Sequence, residues 1–178
     1  VHAGARVDGQ ALMASVARKL SVDEFLDEYE LIGGKHELIR GVPMCISGAS
    51  RLHYMIARNI ERTIGRQLAG GQCQSFLDPA IAAEDSVLYP DVAVLCDSRD
   101  FTDLETERRF YFPSLVAEVL SPSTRGYDLN AKLALYKAIE SLRGILFADP
   151  VTEVFLWHVR TPEGWVEDFV PPPEELDM

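Results

Sequence analysis

The stretch Pro113-Ser114-Leu115-Val116-Ala117-Glu118-Val119-Leu120 limits what this chain can become more than any other. It is apolar throughout except at Ser114 and Glu118, as expected of a central strand covered on both faces. Ser121-Pro122-Ser123-Thr124 stops it, a helix is expected from about Asp128 to Glu140, and a second strand from Ile145 to Ala148. A strand, helix, strand unit places at least one parallel pair in the sheet. A carboxylate in such a strand calls for a partner or a cation, because an unpaired buried charge costs far more than most contacts return.

The segments before this unit set its surroundings. Ser21 followed by Asp23 and Glu24, with Phe25, Leu26 and Tyr29 on one face, predicts a short helix over 22–29 ended by Gly33-Gly34. Glu37 to Ile39 and Val42 to Ile46 read as a hairpin around Arg40-Gly41. From Ser50 to Leu68, apolar residues recur at Leu52, Ile56, Ile60, Ile64 and Leu68, a helical stripe that should pack on a sheet. Arg58, Arg62 and Arg66 lie nearly opposite it; a solvated face is the favoured reading, and a face touching the backbone of DNA or RNA the alternative.

The runs Cys73 to Leu77, Pro79 to Ala83 and Val87 to Cys96 are expected as successive strands. Asp97 to Phe112 is polar and irregular and is expected as a long surface loop beside the functional site. Strands Val154 to Val159 and Trp165 to Phe169 follow, joined by Thr161-Pro162-Glu163-Gly164, with Trp157, His158 and Trp165 as packing residues. The expected class is α/β, a mixed sheet flanked by helices. An N-terminal extension over 1–20, a single domain over 21–169 and a flexible acidic tail over 170–178 complete the expected organisation.

Composition narrows the classes of function. No stretch approaches the roughly 18 apolar residues of a membrane span, and no export signal is read at the N-terminus, so no membrane association is expected. Cys45, Cys73 and Cys96 are odd in number and widely spaced, which suits reduced thiols and a cytoplasmic address. The net charge of −11 opposes unspecific attraction to nucleic acid, though a local basic groove can coexist with an acidic body. A Gly-rich phosphate loop, a Gly-x-Ser-x-Gly elbow and paired-cysteine or His-x-x-x-His metal patterns are all missing, which weakens nucleotide kinase, serine hydrolase and zinc readings.

The candidate site is built on acids. Asp91 follows Pro90 at the start of an apolar run and can project from the sheet end, while Glu118 can reach the same point from a neighbouring strand. Together with the carbonyl of Val119 they offer hard oxygen ligands to Mg2+ or Mn2+. Lys132 is the candidate to hold a phosphate or the attacking water, Tyr136 to orient it, and Asp128 shares their helical face at four-residue spacing. Asp128 equally suits a helix N-cap, and Lys132 a surface pair with Asp128. Glu37 is a further ligand or a water-positioning base, or makes an ordinary surface pair; His53 is a supporting residue or simply a helix-end one.

These residues, in order, form a recognisable string: Glu37-Leu38-Ile39-Arg40-Gly41, His53, Pro90-Asp91-Val92-Ala93-Val94, Glu118-Val119-Leu120-Ser121-Pro122-Ser123-Thr124, then Asp128, Lys132 and Tyr136. Over roughly 21–169 the chain resembles the Uma2 (DUF820) family of the PD-(D/E)XK nuclease superfamily. The resemblance implies a restriction-endonuclease-like core, divalent-metal-dependent cleavage of DNA, homodimers, and Asp91 and Glu118 as matched metal ligands. The superfamily's lysine normally stands two residues after the acid, where this chain has Leu120, so the resemblance implies Lys132 in its place. The alternative is a catalytically silent module that keeps the fold and binds nucleic acid or protein.

Overall fold

In the computed structural model, which describes residues 19–29, 35–46, 49–103 and 105–170, helix α1 (Val22–Tyr29) opens with a reciprocal cap. The Ser21 N–H donates to Glu24 Oε2 at 2.8 Å and the Glu24 N–H to Ser21 Oγ at 3.3 Å. Phe25 and Leu26 are buried beneath it. Residues 1–18 of the expected N-terminal extension, Gly33-Gly34 and all of the expected tail but Val170 lie outside the described residues, whereas Leu20 is buried against Phe25 and Leu38.

Strands β1 (Lys35–Ile39) and β2 (Val42–Ile46) form the expected hairpin. Its turn residues Arg40 and Gly41 both have positive φ, 51° and 80°, which matches the twist of the flanking strands. Helix α2 (Arg51–Leu68) starts at Ser50, whose Oγ accepts the His53 N–H at 3.1 Å. Its buried stripe begins at Ile56, because Leu52, in the first turn, is 54% exposed.

The strands divide between two sheets. A four-stranded antiparallel sheet runs β2-β1-β5-β4, with β4 (Ile81–Ala83) and β5 (Ser86–Leu88). A six-stranded mixed sheet runs β10-β9-β8-β7-β6-β3, built from β3 (Gln74–Leu77), β6 (Val92–Leu95), β7 (Pro113–Val119), β8 (Gly144–Asp149), β9 (Val154–Thr161) and β10 (Gly164–Val170). The single strand expected over 87–96 is two strands in different sheets. Pro90 has no N–H to donate to a ladder, so the chain breaks there and changes partner.

Between β7 and its parallel neighbour β8 lie α3 (Arg125–Tyr127), a π-helical turn (Asp128–Lys132) and α4 (Leu133–Ala138). The helix expected over 128–140 therefore starts three residues earlier, and Asp128 stands inside it, so it is not the N-cap. Along β7 the faces alternate. Ala117 and Val119 pack towards α2 with Ile60 and Ala57, whereas Val116 and Leu120 pack in the other direction with Tyr136 and Leu142.

Two further expectations are corrected. Cys73 and Cys96 form a disulfide, Cα to Cα 4.1 Å, and only Cys45 is free. Each flanks the paired residues Gln74 and Leu95, so the β3–β6 register brings them face to face although 23 residues separate them. The disulfide removes the reduced-thiol argument for a cytoplasmic address. The segment 97–112 joins Leu95 to Pro113, whereas Asp91 and Glu118 lie at the opposite end of the β6–β7 pair; it is not beside the candidate site. Among the described residues no helix is long and apolar enough to cross a membrane.

Candidate active site

The β6–β7 register pairs Val92 with Ala117, which brings Asp91 level with the end of β7. There Asp91 Oδ2 accepts the Val119 N–H at 2.7 Å and Oδ1 meets His53 Nε2, in the first turn of α2, at 2.7 Å. Burial would raise the Asp91 pKa, but these two hydrogen bonds outweigh it and hold the carboxyl below its ordinary value. With Nε2 engaged, His53 Nδ1 is buried and has no partner among the described residues.

Glu118 alternates with Ala117 and Val119, so it projects from the face of β7 that meets the helical crossover. Its Oε1 accepts from Tyr136 Oη at 2.5 Å and pairs with Lys132 Nζ at 2.7 Å. Lys132 Nζ is also 2.8 Å from Glu37 Oε1 on β1. Glu37 is fully buried and saturated: Oε1 also accepts the Tyr89 N–H at 2.9 Å, and Oε2 the Tyr127 hydroxyl at 2.9 Å. One ammonium thus bridges two carboxylates from different sheets.

The position two residues after Glu118 and the position of Lys132 differ in what they reach. Residue 120 shares the face of Glu118, but here that position is filled by Leu120, 4% exposed and packed in the main core. Lys132 reaches Glu118 from the crossover, out of a π turn that also carries Asp128. Such wider turns shift side chains off regular helical spacing, and they recur at functional sites.

A pocket of about 360 Å³ joins these groups; Asp91, Glu118, Val119, Asp128, Lys132 and His53 line it, with Tyr54, Tyr89 and Tyr127 among its other walls. Glu37, Glu118, Asp128 and Lys132 are each 5% exposed or less. Glu37 and Glu118 share Lys132, with Asp128 and Asp91 nearby, while the second lysine of the pocket wall, Lys35, pairs with Asp78 at 2.6 Å. Burial pushes the Glu118 carboxyl up to about 8; Lys132 pulls against it, while Asp91, Asp128 and Glu37 add repulsion. Burial also raises Asp128, opposed by a hydrogen bond from Thr124 and by Lys132. For Lys132, burial disfavours the charge, but Glu118 and Glu37 outweigh it and raise its pKa, so the ammonium stays charged.

The donor set suits a hard divalent cation in kind. Buried carboxyl groups that repel one another, as Asp91 and Glu118 do, are what such an ion relieves, and no hydrogen bond among the described residues engages Glu118 Oε2. Among the described residues, no group of three or more His, Cys, Asp or Glu side chains is arranged to hold a metal. An ion here would complete its shell with the Val119 carbonyl and water, as magnesium commonly does.

The structure thus gathers Glu37, His53, Asp91, Glu118, Val119, Asp128, Lys132 and Tyr136 in and around one pocket. Tyr136 orients Glu118 directly, where the spacing alone suggested Lys132. Arg58, Arg62 and Arg66 stay outside, exposed on the far side of α2. Tyr127 and Thr124 escaped the sequence reading. Thr124 was within reach, since it extends the row of Asp128, Lys132 and Tyr136 back by four residues; Tyr127 lies off that row.

Comparison with known proteins gives one reading. The model of the Uma2 family, described as "Putative restriction endonuclease", matches residues 22–178. Two proteins of Synechocystis sp. (strain ATCC 27184 / PCC 6803 / Kazusa) are each 33% identical to the chain. For "Uncharacterized protein sll1609" the match spans 141 residues, 78% of this chain and 79% of the relative. For "Uncharacterized protein slr1290" it spans 152 residues, 83% of this chain and 78% of the relative. The crystal structure of "a putative nuclease belonging to DUF820" from Anabaena variabilis ATCC 29413 superposes with a TM-score of 0.69 at 18% identity, covering 86% of each chain, and shares the fold.

Proposed function

This chain belongs to the Uma2 family, and from that premise we propose that its pocket hydrolyses phosphodiester bonds of DNA with Mg2+ or Mn2+. The observation that carries the reading is that Asp91, bonded at 2.7 Å by the Val119 N–H next to Glu118, lines the same pocket as Glu118, Asp128 and Lys132 and adds repulsion to Glu118. Asp91, Glu118 Oε2 and the Val119 carbonyl would hold the ion. Bound there, the ion would polarise a phosphate oxygen and acidify a water.

The remaining roles follow from the contacts. Hydrolysis joins a water oxygen to phosphorus while a P–O ester bond breaks, and negative charge grows on the phosphoryl oxygens. Lys132, charged and fixed between two carboxylates, offers its ammonium to those oxygens or to the attacking water. Glu37, with both oxygens occupied, positions Lys132 rather than activating water. Tyr136 holds Glu118 Oε1, His53 holds Asp91, and Asp128 adds to the negative wall. Arg58, Arg62 and Arg66 offer contacts to the backbone outside the pocket.

The full chain with magnesium or manganese is expected to nick DNA, and Glu118→Gln and Lys132→Ala each to slow it by roughly 10²-fold or more, the scale of losing one aimed electrostatic group. Equal cleavage in both variants overturns the assignment. The second reading, a module that binds without turnover, is favoured by the absence of a three-ligand cluster among the described residues. Retention of nucleic acid with no metal-stimulated cleavage would select it. A homodimer is supported by Phe155, Val159 and Val166, which share one face of the β9–β10 hairpin and are 38%, 45% and 54% exposed. Light scattering reads that state directly.

A further inference from the structure

Along α2, Arg58, Arg62 and Arg66 advance by about 6 Å per four-residue step, and Arg51 continues the same face to the first turn. The row spans about 22 Å. All four side chains are exposed, and among the described residues none enters an ion pair or hydrogen bond. In a chain of net charge −11, arginines are elsewhere mostly claimed: Arg99 by Asp97, Arg108 by Asp27, Arg109 by Asp23, Arg125 by Asp149. Glu61 is the one acid in α2, and it accepts a hydrogen bond from Ser75 at 2.8 Å on β3. An acid-free basic face has thus been left on an acidic protein.

That face leads to the pocket. His53 and Ala57 of α2 line the pocket, and Tyr54, 63% exposed, lines its mouth; around the helix it stands between them and the arginine row. Met55, 62% exposed, lies among the arginines. Unpaired cations that track a backbone, interrupted by an exposed aromatic ring, are the surface chemistry of single-strand binding. The pocket adds a steric argument. Glu118 and Lys132 are each 4% exposed within about 360 Å³, so a reacting phosphate must descend to them. A stiff duplex carries its phosphates on a broad convex surface, whereas a lone strand can bend one inward.

Resting on the nucleic-acid reading above, we infer that the substrate is single-stranded, its backbone following Arg66, Arg62, Arg58 and Arg51 towards the pocket and a base stacking on Tyr54. Duplex is then cut only where it frays or ends in a flap.

Fluorescence anisotropy without divalent ions tests this apart from catalysis, using the full chain, a labelled oligo(dT) 20-mer and a blunt 20-base-pair duplex. The single strand is expected to bind at least about tenfold more tightly. Tyr54→Ala should weaken it by roughly tenfold and leave duplex binding unchanged, the scale of one base stacked on an aromatic ring. Changing Arg58, Arg62 and Arg66 together to Ala should lower the slope of log affinity against log salt by about 2, at roughly 0.7 per strand phosphate released. Equal or tighter duplex binding, or an unaltered slope in the triple variant, overturns the inference. Loss of metal-stimulated cleavage with strand preference intact would instead sink the catalytic reading alone.

Discussion

The two ends of the β6–β7 pair are held together in different ways. At the Asp91 end, Asp91, Asp128 and Glu37 repel Glu118, which shares Lys132 with Glu37, and burial lifts Glu118 to about 8. At the other end the Cys73–Cys96 disulfide ties β3 to β6, and the charges are matched nearby: Arg99 Nη2 reaches Asp97 at 2.6 Å, and buried Asp100 accepts the Tyr111 and Phe112 N–H groups at 2.8 and 3.0 Å. One end closes its electrostatics internally and the other leaves them open. Imbalance of that kind is common where charge must be supplied by something bound.

The contrast breaks most sharply at Lys132. Lys132→Ala leaves Glu37 and Glu118 buried without their shared cation and should cost about 3–5 kcal/mol, read by urea denaturation. A loss below about 1 kcal/mol would mean that the carboxylates do not depend on it. At the opposite end, changing Cys73 and Cys96 together to Ser should cost about 2–4 kcal/mol and leave any cleavage unchanged. If that variant lost cleavage at full stability, the ends would not be independent.

Asp100→Ala strips two backbone N–H groups of their acceptor and should cost about 1–3 kcal/mol, again without an effect on the pocket. A further test is in pH. Glu118 has an ordinary value of 4.5 and stands near 8 when folded, so folding takes up a proton between these limits. Its contribution to stability is complete below about 4.5 and is lost as pH rises towards about 8. Denaturation in EDTA across that window should show the decline, and Glu118→Gln should flatten it. A flat wild-type profile would show that Lys132 fully compensates the carboxylate.

Legibility in the sequence followed the reach of each signal. The cap at Ser21, the turn at Arg40-Gly41, the helical stripe of α2 and the apolar run of β7 were readable because each depends on residues within a few turns of one another. Glu118 stood out because its surroundings were apolar. The split of 87–96 between two sheets was hidden, since Pro90 marks a break without saying which partner each half will take. The direction of 97–112 was hidden as well: only the β6–β7 register shows that it leaves from the end remote from Asp91.

By itself, then, the sequence determined the helices, most strand segments, the acidic residues that required partners and the basic face of α2, because periodicity and burial cost act locally along a chain. Tertiary structure alone decided that Lys132 bridges Glu118 and Glu37, that His53 meets Asp91 and that Cys73 meets Cys96. Those contacts join residues 14 to 95 positions apart, and strand register and crossover geometry, not composition, set which of them meet.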